Sequence, residues 1–164
     1  MEASANQWME GHPENARKLA LRIKRAIRDR VGECLTSSIG IAPNGFLAKL
    51  ATEMEKPNGL VVLTKDVIEE RATKLQLMDF TGINRRMKAR LQAAGIFTAE
   101  QLYAASPMEL RLAFGSVIGE RWWYLLRGYE IDLPETRRRS LGHSHVLPPN
   151  LRTREGSRLV LMRL

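Results

Sequence analysis

The 164-residue chain is poor in the residues that many functions require. It has one cysteine, Cys34, which excludes an internal disulfide framework and fits a reducing cytosol. It has three histidines, and no Cys/His set at zinc-ligand spacing is evident. No run approaches the ~18 apolar residues of a membrane span. The opening residues 1–11 are polar and acidic, without the apolar core of a signal peptide. Nothing reads as a Ser/His/Asp triad or a Walker loop. These absences predict a cytoplasmic protein without membrane partners.

What is abundant is positive charge. Twenty-six lysines and arginines face 18 acids, a net charge of +8, which points to a polyanionic partner such as nucleic acid. The charge is clustered. Residues 14–30 hold seven cations against two carboxylates. Residues 81–95 hold Arg85, Arg86, Lys88 and Arg90 with no acid. Residues 121–164 hold nine arginines against four acids. Most charge runs are solvated helix faces, but the second and third clusters adjoin glycine turns and a linker, as a phosphate track would.

Residues 1–12 show no periodicity and read as a loose arm. Pro13 suits a first helical position. Ala16, Leu19, Ala20, Ile23 and Ile27 then recur at helical spacing up to about Val31-Gly32. Residues 34–41 read as a strand with Leu35, Ile39 and Ile41 on one face. Thr36, Ser38 and Gly40 lie on the other, small enough for something to approach closely. Asn44 can cap the next helix, whose stripe is Leu47, Leu50, Ala51 and Met54. Lys49 falls opposite that stripe, where a lysine is usually only a solvated charge. Leu60–Leu63 reads as a short buried strand.

After Thr64 the pattern becomes closely punctuated helix: about 65–73, 75–79, 85–94, 99–105, 107–113 and 119–127. Thr98 with Gln101 and Ser106 with Glu109 form capping boxes, and Gly95 and Gly128 are natural helix stops. Residues 131–139, with Pro134 and three consecutive arginines, read as a linker. Residues 140–147 read as a strand and 154–164 as a helix cut short.

Two glycine turns carry the functional reading. Phe80-Thr-Gly82-Ile-Asn84-Arg85-Arg86 sits between helical patterns and can aim backbone N–H groups and a helix N-terminus at a phosphate, the logic of a helix-hairpin-helix unit. Such hairpins usually carry glycine where Asn84 stands, and asparagine tolerates the left-handed conformation. Ile83, Met87, Leu91 and Ala94 would anchor the helix that follows. The second turn runs from Phe114 through Gly115 and Gly119 to Arg121 and a helix with Ile118, Trp122, Leu125, Leu126 and Tyr129 at helical spacing. Trp122 there reads as core rather than as a platform for a base. A pair of turns can grip successive phosphates. Alternation would place His143 and His145 on one strand face, but no further ligands stand at suitable spacing, so an ordinary strand face is expected there rather than a metal site.

Three blocks, in this order, resemble the Y-family translesion DNA polymerases of the DinB-like, polymerase IV branch: Ser38-Ile-Gly-Ile-Ala-Pro-Asn44, Leu47-Ala-Lys49-Leu-Ala-Thr and Glu55-Lys-Pro-Asn-Gly59-Leu. The two turns and Arg139-Ser-Leu-Gly-His-Ser-His145 extend the match over about residues 13–164. The resemblance implies an α+β chain. After the arm come the C-terminal part of an α/β palm (13–64), an all-α helix-hairpin-helix thumb (65–130), a basic linker (131–139) and the start of an α/β little finger (140–164). It also implies that Lys49 contacts the triphosphate of an incoming nucleotide once the other palm half is present. Gly82, Asn84, Arg85, Arg86, Gly115, Gly119 and Arg121 would hold primer–template DNA by its backbone. Arg137, Arg138, Arg139, Ser140 and His143 would lie along it. A sliding clamp is a further possible partner.

Two departures stand out. Gly45 occupies a position that is usually lysine or arginine in the family. The N-terminal Asp segment and the Ser-x-Asp-Glu segment, which carry the carboxylates for two magnesium ions in the complete enzyme, do not occur here, nor do the fingers. The expectation is a DNA-binding piece of an error-prone polymerase with no cofactor and no catalytic residue of its own. The alternatives are a non-catalytic helix-hairpin-helix accessory protein of DNA repair and, less favoured by the motifs, a basic helical protein that binds RNA or a ribosome. The reading frame upstream of Met1 discriminates the first two.

Overall fold

The computed structural model describes residues 13–131 and 146–162. The chain divides into two compact units, Met1–Asp132 and Leu133–Leu164.

The first unit begins with α1, Pro13–Arg30. Its expected apolar stripe is only slightly covered. Ala20 is buried, but Leu19, Leu21 and Ile23 are exposed, since the sheet beside it has two short strands. Lys24 of α1 is not a free cation: its ammonium group donates to the carbonyl oxygens of Ser37, Asn58 and Gly59 and to Asn58 Oδ1.

Strands β1 (Ile39–Ile41) and β2 (Leu60–Val62) pair in parallel, with Gly40 opposite Val61. The expected strand over 34–41 is thus shorter. Cys34–Ser38 is irregular and Leu35 is exposed, because only residues 39–41 find a partner strand. Between the strands runs α2, Gly45–Met54, which buries Leu47, Leu50 and Ala51. It crosses β1 at Gly40, where a Cβ would stand 2.1 Å from the Ala48 carbonyl oxygen. The close approach expected at that small-residue face is therefore made by α2.

Short helices follow: α3 (Ile68–Thr73), a 3-10 turn (Leu77–Asp79), α4 (Arg85–Ala93), α5 (Ala99–Ala104), α6 (Pro107–Phe114) and α7 (Val117–Leu126). Local signals set their ends. Both expected capping boxes are formed, and Pro107 is the first residue of α6. Gly95 and Gly128 stop α4 and α7 at φ 83° and 80°. At Gly95 the stop closes with Ile96 N–H donating to Leu91 O and Gly95 N–H to Gln92 O.

The α/β and helical pieces share one core that runs from Leu47 and Val61 to Leu110 and Leu126. Trp122 is inside it, with ring centroids 4.9 Å from Phe46 and 5.0 Å from Phe114. Of the expected stripe, Ile118 on the same helix and Tyr129 beyond its end are exposed, as is Ala94 just past α4.

The second unit, over its described residues, holds a 3-10 turn (Pro149–Leu151) and α8 (Arg154–Leu161), capped by Thr153, which accepts from Gly156 N–H at 3.0 Å. The expected strand over 140–147 lies mostly outside the described residues; Val146 and Leu147 are not in a strand.

Candidate nucleic-acid interface

Asn44 joins the two pieces of the first unit. Its Oδ1 accepts the Leu47 N–H at 2.8 Å, capping α2. Its amide nitrogen donates to the Leu125 and Tyr129 carbonyl oxygens, both at 2.9 Å, at the end of α7. A buried amide with both ends satisfied is worth keeping, because a lost partner leaves a desolvated polar group. Next to it, Gly45 has open space where a Cβ would be, so packing does not demand glycine there.

Lys49 stands on the exposed side of α2, as the stripe requires, with 54% of its side chain accessible. Its Nζ lies 2.6 Å from Glu53 Oε1, and Lys56 Nζ lies 2.6 Å from Oε2. Hydrogen bonds from Lys49 first and Lys56 second hold the Glu53 carboxyl below its ordinary range.

Lys49 lines a groove of about 710 Å³ whose other wall is the first glycine turn: Phe80, Thr81, Gly82, Ile83 and Asn84. Phe80 and Ile83 are buried anchors, and Ile83 N–H donates to Phe80 O at 2.9 Å. Gly82, at φ 103°, makes the turn, and a Cβ there would sit 3.2 Å from the Trp122 ring beneath it. Asn84 is not left-handed. At φ −89° it caps α4, accepting the Met87 N–H at 2.9 Å. The expected role of its tolerance for positive φ is therefore replaced by capping, and Gly82 alone carries the positive φ. The N–H groups of Gly82, Asn84, Arg85 and Arg86 find no acceptor among the described residues, as is normal for a helix start. Arg85 and Arg86 are exposed beside them. Lys49, Gly82 and Asn84 thus line one groove, and Arg85 and Arg86 follow Asn84 at the start of α4.

The second turn is built differently. Gly115, at φ 61°, is a helix stop: its N–H donates to Leu112 O and the Ser116 N–H to Arg111 O. Ser116 caps α7 through Ile118 N–H at 3.2 Å. Gly119 lies inside α7, is buried, and has no positive φ. Its N–H donates to Ser116 O at 3.1 Å. A Cβ there would stand 2.1 Å from Leu110 O, so this glycine exists to let α6 and α7 touch. Its amide is not turned out to a ligand, contrary to the pairing of equivalent turns expected from the sequence. Arg90 of α4 reaches across to the second turn: a Cβ on Gly115 would meet its guanidinium at 2.5 Å. Arg121 is partly exposed beside Val117, Tyr124 and Ile131.

Sequence reasoning missed Glu53, although Lys49 four residues before it on the same helical face and Lys56 three residues after it announce it. It also missed Arg127, whose guanidinium lies 4.0 Å over the Trp123 ring and donates to the Tyr103 carbonyl oxygen at 2.7 Å. That arginine is committed to packing rather than to a ligand. Arg137, Arg138, Arg139, Ser140 and His143 lie outside the described residues. Among the described residues, no helix is long and apolar enough to cross a membrane, and no three His, Cys, Asp or Glu side chains converge as metal ligands.

A model of the impB/mucB/samB family matches residues 2–53. The chain is 36% identical over 156 residues to the DNA polymerase IV of Pseudomonas entomophila (strain L48), covering 90% of this chain and 42% of that protein. It is 34% identical over 150 residues to the DNA polymerase IV of Moorella thermoacetica, covering 89% and 37%. Among solved structures it is similar to an insertion ternary complex of Dbh DNA polymerase, at 28% identity and a TM-score of 0.63 over 78% of this chain and 37% of that one. It is also similar to DinB from Sulfolobus solfataricus, at 30% identity and a TM-score of 0.57 over 72% and 34%. The chain spans about two fifths of the length of the curated relatives it matches.

Proposed function

Since this chain belongs, over the region compared, to the DinB-like branch of the Y-family DNA polymerases, we propose that it is a DNA-holding part of a translesion polymerase. In this reading residues 13–64 are palm and 65–130 are thumb. The first turn grips the sugar–phosphate backbone of primer–template DNA: the free N–H groups at Gly82 and Asn84–Arg86 receive phosphate oxygens while Arg85 and Arg86 supply charge. Across the groove, Lys49 meets the triphosphate of an incoming nucleotide when the other palm half is present. The observation that carries this is the shared groove, which sets a lysine and an anion-receptive turn on facing walls.

The family's two magnesium ions need clustered carboxylates. The described residues do not bring three such ligands together, so they do not fit that centre and no metal-dependent step is assigned to them. In this reading the described residues contribute binding and orientation.

The test is binding of the purified chain to primer–template and to single-stranded DNA across a salt series. Affinity falls steeply with salt, by a slope of about 0.9 per phosphate contact, with little base preference. Affinity that does not change between low and high salt overturns the reading. Addition of magnesium and nucleotides produces no primer extension; robust extension refutes the non-catalytic assignment.

A further inference from the structure

We propose that Glu53 is an internal competitor for polyphosphate: it holds the ammonium groups of Lys49 and Lys56, and a bound triphosphate must take them from it. This rests on the reading of Lys49 as a triphosphate contact and adds the residue that tunes it.

Both carboxylate oxygens are engaged, one by each lysine, at 2.6 Å. Glu53 thereby gathers two cations: Lys49, which lines the groove described above, and Lys56, which joins it in lining a second one. That second groove, of about 410 Å³, is lined by Lys49, Lys56 and the hydroxyl side chains Thr36, Ser38 and Thr52. Two ammonium groups with hydroxyl donors nearby suit a chain of phosphates better than a single carboxylate.

Glu53 is the next-to-last residue of α2. A negative charge in the last turn meets the unpaired carbonyls of the helix end and is unfavourable there. The lysines offset that repulsion, so Glu53 depends on them more than they depend on it. Both lysine side chains are more than half exposed, so exchange with a dissolved ligand needs no unfolding. Exposed ion pairs are individually weak, and a multiply charged phosphate outcompetes them through stronger charge-assisted hydrogen bonds. Once displaced, Glu53 remains beside the bound phosphates and repels them.

The experiment is calorimetric titration of the full chain with inorganic triphosphate at low ionic strength, for wild type, Glu53→Gln, Lys49→Ala and the double variant, with matched melting curves. Glu53→Gln binds roughly threefold to tenfold more tightly, the size expected for freeing exposed pairs. Lys49→Ala binds more weakly, and in that background the gain from Glu53→Gln shrinks because Lys56 alone is left to release. Glu70→Gln, which disrupts only the pair with Lys74, leaves affinity unchanged. If Lys49→Ala weakens binding but Glu53→Gln does not tighten it, Glu53 orders the lysines instead, and this inference falls while the role of Lys49 stands. A gain of equal size from Glu70→Gln reduces the effect to net charge and also overturns it. If Lys49→Ala changes nothing, or no variant binds, Lys49 and Lys56 do not hold polyphosphate by themselves and this inference falls, whereas the contact of Lys49 in the presence of the other palm half is a separate claim.

Discussion

The two glycine turns of the helical region look alike as text and differ as objects. At Phe80–Asn84 the glycine is exposed, bends the chain at φ 103°, and stands next to N–H groups with no acceptor among the described residues. At Phe114–Gly119 one glycine ends a helix and the other is buried between two helices, its amide already bonded. The first turn faces outward and can receive a ligand; the second joins α6 to α7. A glycine can serve either backbone conformation or lack of bulk, and these two needs lead to opposite surfaces.

The sharpest way to break this contrast is Gly119→Ala. With a Cβ placed 2.1 Å from Leu110 O, α6 and α7 must separate. The loss is about 3 kcal/mol or more, at the upper end of overpacking, read as a fall in melting temperature. An unchanged melting curve would show that Gly119 is not a packing glycine. Second is Asn44→Ala, which removes a cap and two further hydrogen bonds of a buried amide. About 2–3 kcal/mol is lost in urea melts, with no loss of DNA contacts of its own.

Third, Arg85→Ala with Arg86→Ala tests the outward turn. DNA affinity falls about tenfold at low salt and the salt slope drops by about 2, while the melting temperature stays put. The same slope after the double substitution would remove these arginines from the interface.

The smallest effect concerns acid. Glu109, whose carboxylate accepts the Ser106 N–H at 2.8 Å, has its carboxyl held below the ordinary range by that backbone hydrogen bond. Glu53 and Glu70 are lowered by their lysine partners. A carboxyl that is more acidic folded than unfolded contributes stability above its unfolded value and loses it as pH falls through the folded one. Melting temperature therefore holds from pH 7 down to about 5 and declines below the ordinary carboxylate range. Ser106→Ala flattens part of that decline.

Much of this was legible in the sequence wherever the cause is local. Thr98, Ser106 and Asn44 announce helix starts because a cap is decided by a side chain and the next three N–H groups. Gly95 and Gly128 announce stops for the same reason. The placement of Lys49 opposite Leu47, Leu50 and Ala51 follows from helical geometry alone. What depends on distant partners was not legible. Strand β1 is three residues long because its partner is. Leu19 and Ile23 keep a helical stripe that little packs against. Gly119 could not be told from Gly82 without knowing that Leu110 lies across from it. Arg127 and Lys24 count as charge in the composition, yet each spends its donors on carbonyl oxygens.

Asn44 gives the contact between α2 and α7 a built-in clock. The Leu47 amide proton is shielded by a side chain that also clasps the far end of α7. In deuterated solvent that proton can leave only when the clasp opens. Its exchange rate therefore times the parting of α2 from the end of α7, while the free amides of the outward turn exchange at once.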